Sequence, residues 1–252
     1  MKTSLAALAA ALVVAALPGL AQAADEHTFA FNVGAVTDYR YRGISQTRFK
    51  PALQGGADYS HSSGFYVGTW ASTIKWIKDW GGDANIELDI YGGYKGAITE
   101  GLSFDVGVLQ YVYPSAKTAA WDALYDDPNT TEVYGAITFG PATLKYSHTA
   151  TNLFGTRNSK NSGYLDASAT FDLGGGIMLT PHVGYQKVAK NDDYSYTDYS
   201  VTVSKDFSGF VVSAAVVGTD TKSIGGAKAY ASPANGKDLG KAGVVVGVKY
   251  NF

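Results

Sequence analysis

The chain of 252 residues contains no cysteine. That excludes disulfide staples, a thiolate nucleophile and a thiolate metal site. Histidine is also scarce, with four scattered positions, so no metal centre and no cofactor are expected. Charge of one sign is lacking too: the formal net charge is −2. That balance excludes a nucleic-acid partner. Beyond the first two dozen residues there is no apolar run near the roughly 20 residues that a spanning helix needs. The longest uncharged stretches, such as Phe210–Thr219, hold Ser, Thr and Gly. No heptad or helical stripe runs for any useful length. What the chain does have is 30 Gly, 18 Tyr and 11 Phe, a composition of all-β character.

The N-terminus supplies a destination. Met1-Lys2 is a short basic start, Leu5–Leu17 is apolar, Pro18-Gly19 breaks the run, and Ala21-Gln22-Ala23 is a small-x-small cleavage site. Residues 1–23 therefore read as a secretory signal peptide, and residues 24–252 as one β domain. Only Lys2 among charged residues is lost on cleavage, which leaves a formal charge of about −3. A membrane anchor is the alternative, but the apolar run is short for one.

Period-two alternation then repeats along the chain. The segments are Ala30–Tyr41, Pro51–Ser60, Gly64–Ile74, Asn85–Lys95, Leu102–Tyr113, Thr131–Phe139, Ala142–Ala150, Gly163–Leu173, Ile177–Val188, Thr197–Phe207, Phe210–Thr219 and Ala242–Phe252. In the last, Val244, Val246, Val248, Tyr250 and Phe252 share one face, and Val245, Gly247, Lys249 and Asn251 the other. Connections alternate as well. Tight turns at Ser62-Ser63, Thr99–Gly101, Gly140-Pro141, Gly174–Gly176 and Ser208-Gly209 interleave with longer loops. Short turns at one end and long loops at the other are the asymmetry of outer-membrane barrels. A soluble sandwich or lipocalin-like barrel has the same periodicity inside out. Segments of about ten residues fit tilted spanning strands, and aromatics near their ends fit interfacial girdles: Tyr39, Tyr94, Tyr113, Tyr146, Tyr185, Phe207, Phe210 and Tyr250. The expectation is a single transmembrane antiparallel up-and-down β-barrel of about twelve strands. Long loops face outward from the cell, and both mature termini are periplasmic.

A resemblance reinforces this reading. Tyr39-Arg40-Tyr41-Arg42-Gly43-Ile44-Ser45-Gln46, Lys50-Pro51-Ala52-Leu53-Gln54-Gly55-Gly56 and Gly64-Phe65-Tyr66-Val67-Gly68-Thr69-Trp70-Ala71-Ser72 occur in order. They are followed by Ile86–Tyr94 (IELDIYGGY), Tyr111-Val112-Tyr113-Pro114 and Glu132-Val133-Tyr134-Gly135. Together they resemble the TorF-like family of outer-membrane porins across essentially the whole mature chain. The resemblance implies an outer-membrane barrel and little about chemistry. The terminal Phe252 looks like the signal read by the barrel-assembly machinery.

With the apolar face on outer-membrane lipid, the opposite face lines a lumen. Expected pore-lining residues are Arg40, Arg42, Glu87, Asp89, Tyr91, Asp105, Tyr111, Tyr113, Glu132 and Tyr134. Arg40 and Arg42 would stand at the end of the first strand. An acidic, Tyr-rich wall opposite them would set a transverse field for small hydrophilic solutes. The same charges could instead pair and fill the interior. The Thr99–Gly101 hairpin should set Lys95 opposite Asp105. Trp76, Trp80 and Trp121 are expected at headgroup level, or as exposed platforms of a surface-recognition barrel. A hydrolase reading rests on His61 beside Ser62 and Ser63 at a tight turn, or on His148 beside Ser147, and is weak in both places; no enzyme is expected. His27 and His182 read as isolated. Asp192-Asp193 near Asp198 reads as a solvated acidic loop.

Overall fold

A computed structural model describes residues 26–252. The signal peptide assigned to residues 1–23 lies outside them. Twelve strands form one sheet: β1 (His27–Val36), β2 (Ala52–His61), β3 (Phe65–Thr73), β4 (Ile86–Thr99), β5 (Leu102–Val112) and β6 (Thr130–Phe139), then β7 (Ala142–Thr149), β8 (Gly163–Ala169, resumed at Phe171–Asp172), β9 (Ile177–Lys187), β10 (Tyr196–Phe207), β11 (Phe210–Thr219) and β12 (Gly243–Asn251). Each pairs antiparallel with its neighbour in sequence. β12 pairs back onto β1 from Asn32↔Asn251 to Val36↔Gly247, so the sheet closes. Closure leaves no open edge along the wall. Phe252 completes the seam. Its backbone exchanges hydrogen bonds with that of Phe31 at 2.9 and 3.0 Å, and the two rings stack 5.9 Å apart.

The short turns collect at one end. Ser208 and Gly209 both have positive φ, +57° and +100°, the backbone that matches a two-residue turn to strand twist. Lys95 stands opposite Asp105, as the hairpin arithmetic requires, with an irregularity between Ala97 and Thr99.

The apolar faces point outward. Val33, Leu53, Val67, Ile90, Val108, Ile137, Leu144, Val201, Val216 and Val246 are all exposed around the circumference. Tyr94, Tyr146, Tyr185, Phe207, Phe210 and Tyr250 are exposed with them. The polar faces turn inward, where Glu87, Asp89 and Glu132 are buried. Abundant Gly and Tyr have a joint use in this wall. Tyr66 lies across Gly93, Tyr91 across Gly68 and Tyr134 across Gly107, each on a neighbouring strand where any Cβ would meet the ring.

Several expectations change here. The first strand ends at Val36, not Tyr41. The chain turns inward and makes a small hairpin, Arg40–Tyr41 against Ile44–Ser45. Arg42 (φ +45°) and Gly43 (φ +80°) form its tip. Tyr39 and Tyr113 are therefore not girdle residues; both are buried inside the barrel. Nor do the loop tryptophans sit at the rim. Two short helices, α1 (Trp76–Asp79) and α2 (Ala119–Leu124), fold into the long-loop end. Trp121 and Ile77 are fully buried there, packed with Tyr39, Trp70, Tyr111 and Tyr113, and Trp76 and Trp80 lie against that cluster. The physical reason is area. Large aromatic side chains bury readily against one another, and the long loops bring enough of them to build a core inside the barrel mouth.

Candidate functional site

The inward hairpin organises the interior. Asp38 holds its base: the carboxylate accepts from Ser45 Oγ at 2.5 Å, from Thr47 Oγ1 at 3.0 Å and from Arg40 Nε. Arg40 also donates to the carbonyls of Gly43, Leu239 and Lys241 at 2.8, 3.2 and 3.1 Å, which ties the hairpin to the last loop. Gly43 is required for two reasons. Its φ favours glycine, and a Cβ there would lie 2.5 Å from Thr219 Cγ2 and 2.9 Å from Asp198 Cβ.

Arg42 at the tip spans the lumen. Its Nη2 donates to both oxygens of Glu132 on β6, at 3.0 and 2.7 Å, and its Nη1 donates to Gln186 Oε1 on β9 at 2.6 Å. The guanidinium lies 4.1 Å from the ring centroid of Tyr164 on β8 and 4.7 Å from that of Tyr41. The several donors of one guanidinium thus serve a carboxylate and an amide at once, which a lysine ammonium on a single point could not reproduce. On the other flank, Glu87 on β4 accepts from the Tyr39 hydroxyl and from the Tyr113 hydroxyl, the latter at 2.7 Å. Burial and the nearby Glu87 carboxylate hold both phenols well above their ordinary pKa, so they remain donors. Burial raises Tyr41 likewise, and its hydroxyl donates to that of Tyr111 at 3.3 Å. The hairpin is thus latched to β4, β6 and β9, on different sides of the barrel.

Toward the short turns the interior stays partly exposed. Tyr66 donates to Asp105 at 2.6 Å and meets the Tyr134 hydroxyl. Tyr91 donates to Asp58. Lys145 Nζ stands 4.0 Å from the Tyr134 ring centroid.

All ten expected lining residues therefore lie inside the barrel, but they divide into two sets. Arg42, Glu87, Tyr111, Tyr113 and Glu132 hold the hairpin, with Asp89 buried beside them. Tyr91, Asp105 and Tyr134 face the wider half, and Arg40 braces the hairpin from behind. Arg42 and Glu132 touch rather than oppose each other across water. In the sequence, Gln186 and Tyr164 carry no signal on their own, whereas Gly43 after Arg42 is a turn signal inside the alternating run. His182 is not isolated: Nε2 lies 2.7 Å from Asp166 Oδ2, and Nδ1 3.6 Å from Asp198 Oδ1. Asp198 accepts from Tyr164 at 2.9 Å, while Asp192 pairs with Lys187.

A family model matches residues 20–252. The chain belongs to the Gcw_chp family, a bacterial family of unknown function. No curated protein sequence matches it. Among solved structures it is similar to the KdgM porin, with a TM-score of 0.56, 9% identity and coverage of 88% of this chain and 99% of that one. The KdgM porin in complex with disordered oligogalacturonate gives 0.55, 10%, 88% and 99%. The NanC porin gives 0.52, 10%, 89% and 99%. At these identities the likeness is one of fold: a closed barrel of porin type.

Proposed function

We propose that this barrel sits in the outer membrane and passes small hydrophilic solutes by passive diffusion, through a charged, Tyr-rich lumen narrowed by the 37–51 hairpin loop. One observation carries the reading: apolar residues face outward around a closed sheet while charges face inward. A water-soluble barrel has no use for such a belt, whereas lipid requires it. The fold shared with porins supports it, as does the resemblance to TorF-like porins. In this reading the signal peptide is removed, the long loops face outside, and both mature termini are periplasmic. Phe252 is, in the same reading, the signal taken up by the barrel-assembly machinery. The ten residues named above act as lining and latch, without a cofactor.

The packed aromatic cluster and the Arg42 latch favour a second reading, a non-conducting structural or surface-recognition barrel. Planar-bilayer recording of pure refolded protein separates the two. Stepwise ion currents support the channel; a silent bilayer, with correct folding shown by circular dichroism, sinks it.

A further inference from the structure

Outside the lumen, the register of β1 and β2 sets His27 directly opposite His61. Their ring centroids are 5.2 Å apart. Glu26 joins them: its Oε1 is 3.5 Å from His61 Nε2, and its backbone carbonyl accepts from Ser62 N at 3.0 Å, which fixes it beside the β2–β3 turn. One ligand atom from each of the three side chains lies within 4.8 Å of the others. Both imidazoles are oriented by hydroxyl groups. His27 Nδ1 lies 2.8 Å from Tyr59 Oη, and His61 Nδ1 lies 2.6 Å from Ser63 Oγ. His61 Nδ1 also accepts from the Ser63 backbone N–H at 3.1 Å. Metal binding at Nε2 therefore requires the ring to give up that contact and donate Nδ1–H to Ser63 Oγ instead, the kind of outer partner that holds metal-ligating histidines in place.

We propose that Glu26, His27 and His61 form a zinc-type divalent metal site on the outer face of the barrel, at its short-turn rim. Two neutral imidazoles and one carboxylate suit borderline ions and leave a position for water. Calcium and magnesium, which want oxygen ligands, are poorly matched. The geometry is within reach. A tetrahedral ion with bonds of about 2.0–2.1 Å holds neighbouring ligand atoms about 3.3 Å apart. The Glu26–His61 pair stands close to that, and the exposed Glu26 side chain together with a turn of the His27 ring about its Tyr59 contact closes the rest. Strand alternation puts His27 on the face of Phe29 and Phe31, and His61 on that of Tyr59, just beyond the aromatic belt. A bound ion would pin the start of β1 to the β2–β3 turn, near where the chain enters the barrel.

The test is calorimetric titration of ZnCl2 into the tag-free mature chain, folded in detergent micelles with excess MgCl2 present. One equivalent should bind. His27→Ala and His61→Ala should each weaken binding at least tenfold, Glu26→Gln should weaken it less, and His148→Ala and His182→Ala should leave it unchanged. Heat-modifiable gel mobility checks that every variant is folded. No saturable zinc binding to the folded wild type overturns the proposal. So does binding that survives His61→Ala, or that follows His148 or His182 instead.

Discussion

Replacing Arg42 with alanine should unlatch the inward hairpin. The Arg42–Glu132 pair is almost fully enclosed, with side chains 8% and 2% exposed. Both Glu132 oxygens take their hydrogen bonds from this guanidinium. Removing one member of such a pair costs about 3–5 kcal/mol, because the other charge is left buried and alone. At about 1.4 kcal/mol per tenfold, the ratio of undocked to docked loop rises on the order of a hundred- to several-thousand-fold. Lost contacts to Gln186 and Tyr164 act in the same direction. In planar bilayers, Arg42→Ala should show more frequent or longer high-conductance states than wild type, or currents where wild type has none. Limited proteolysis should cut within residues 37–51 faster. The double variant Arg42→Gln/Glu132→Gln removes the orphaned charge, so its effect should be smaller than the sum of the single changes. The reasoning is refuted if Arg42→Ala matches wild type in both conductance states and proteolysis rate.

Two further expectations follow from the wall. Val201 faces outward, half exposed, near the middle of β10; Val201→Arg should destabilise the vesicle-embedded barrel by about 2–4 kcal/mol in urea unfolding, and an unchanged midpoint would argue against lipid on that face. Gly93→Val would place a side chain against the Val106 carbonyl oxygen and the Tyr66 ring, 2.4 Å and, at the ring hydroxyl, 2.5 Å from the position of a Cβ there. Overpacking of this kind costs about 1–3 kcal/mol and should strain the β4–β5 pairing and displace Tyr66 from Asp105, read as a lowered unfolding midpoint; a midpoint equal to that of wild type would show that both the ring and the Val106 backbone have room to move.

Most of the wall was legible because strand alternation is local. Val244, Val246 and Val248 declare their common face from spacing alone, and the Gly-containing turns set register, as at Lys95 and Asp105. The hairpin was not legible for the same reason. Alternation runs unbroken through Asp38, Tyr39, Arg40 and Tyr41, so period two extends the strand beyond Val36. Nothing local reveals that Asp38 finds Ser45 and Thr47 and turns the chain inward. Likewise Trp76 and Trp121 read as rim residues, since their burial depends on loops that are distant in sequence meeting inside one mouth.

The amino-acid sequence by itself determined the strand count, the two faces and the short-turn and long-loop ends. Each follows from backbone geometry and neighbouring side chains. Tertiary structure alone decided what the interior does with its charges. Arg42 reaches Glu132 across 90 residues and Gln186 across 144, and His27 meets His61 only because β1 and β2 pair. Such contacts are fixed by closure of the sheet, and closure belongs to the whole chain.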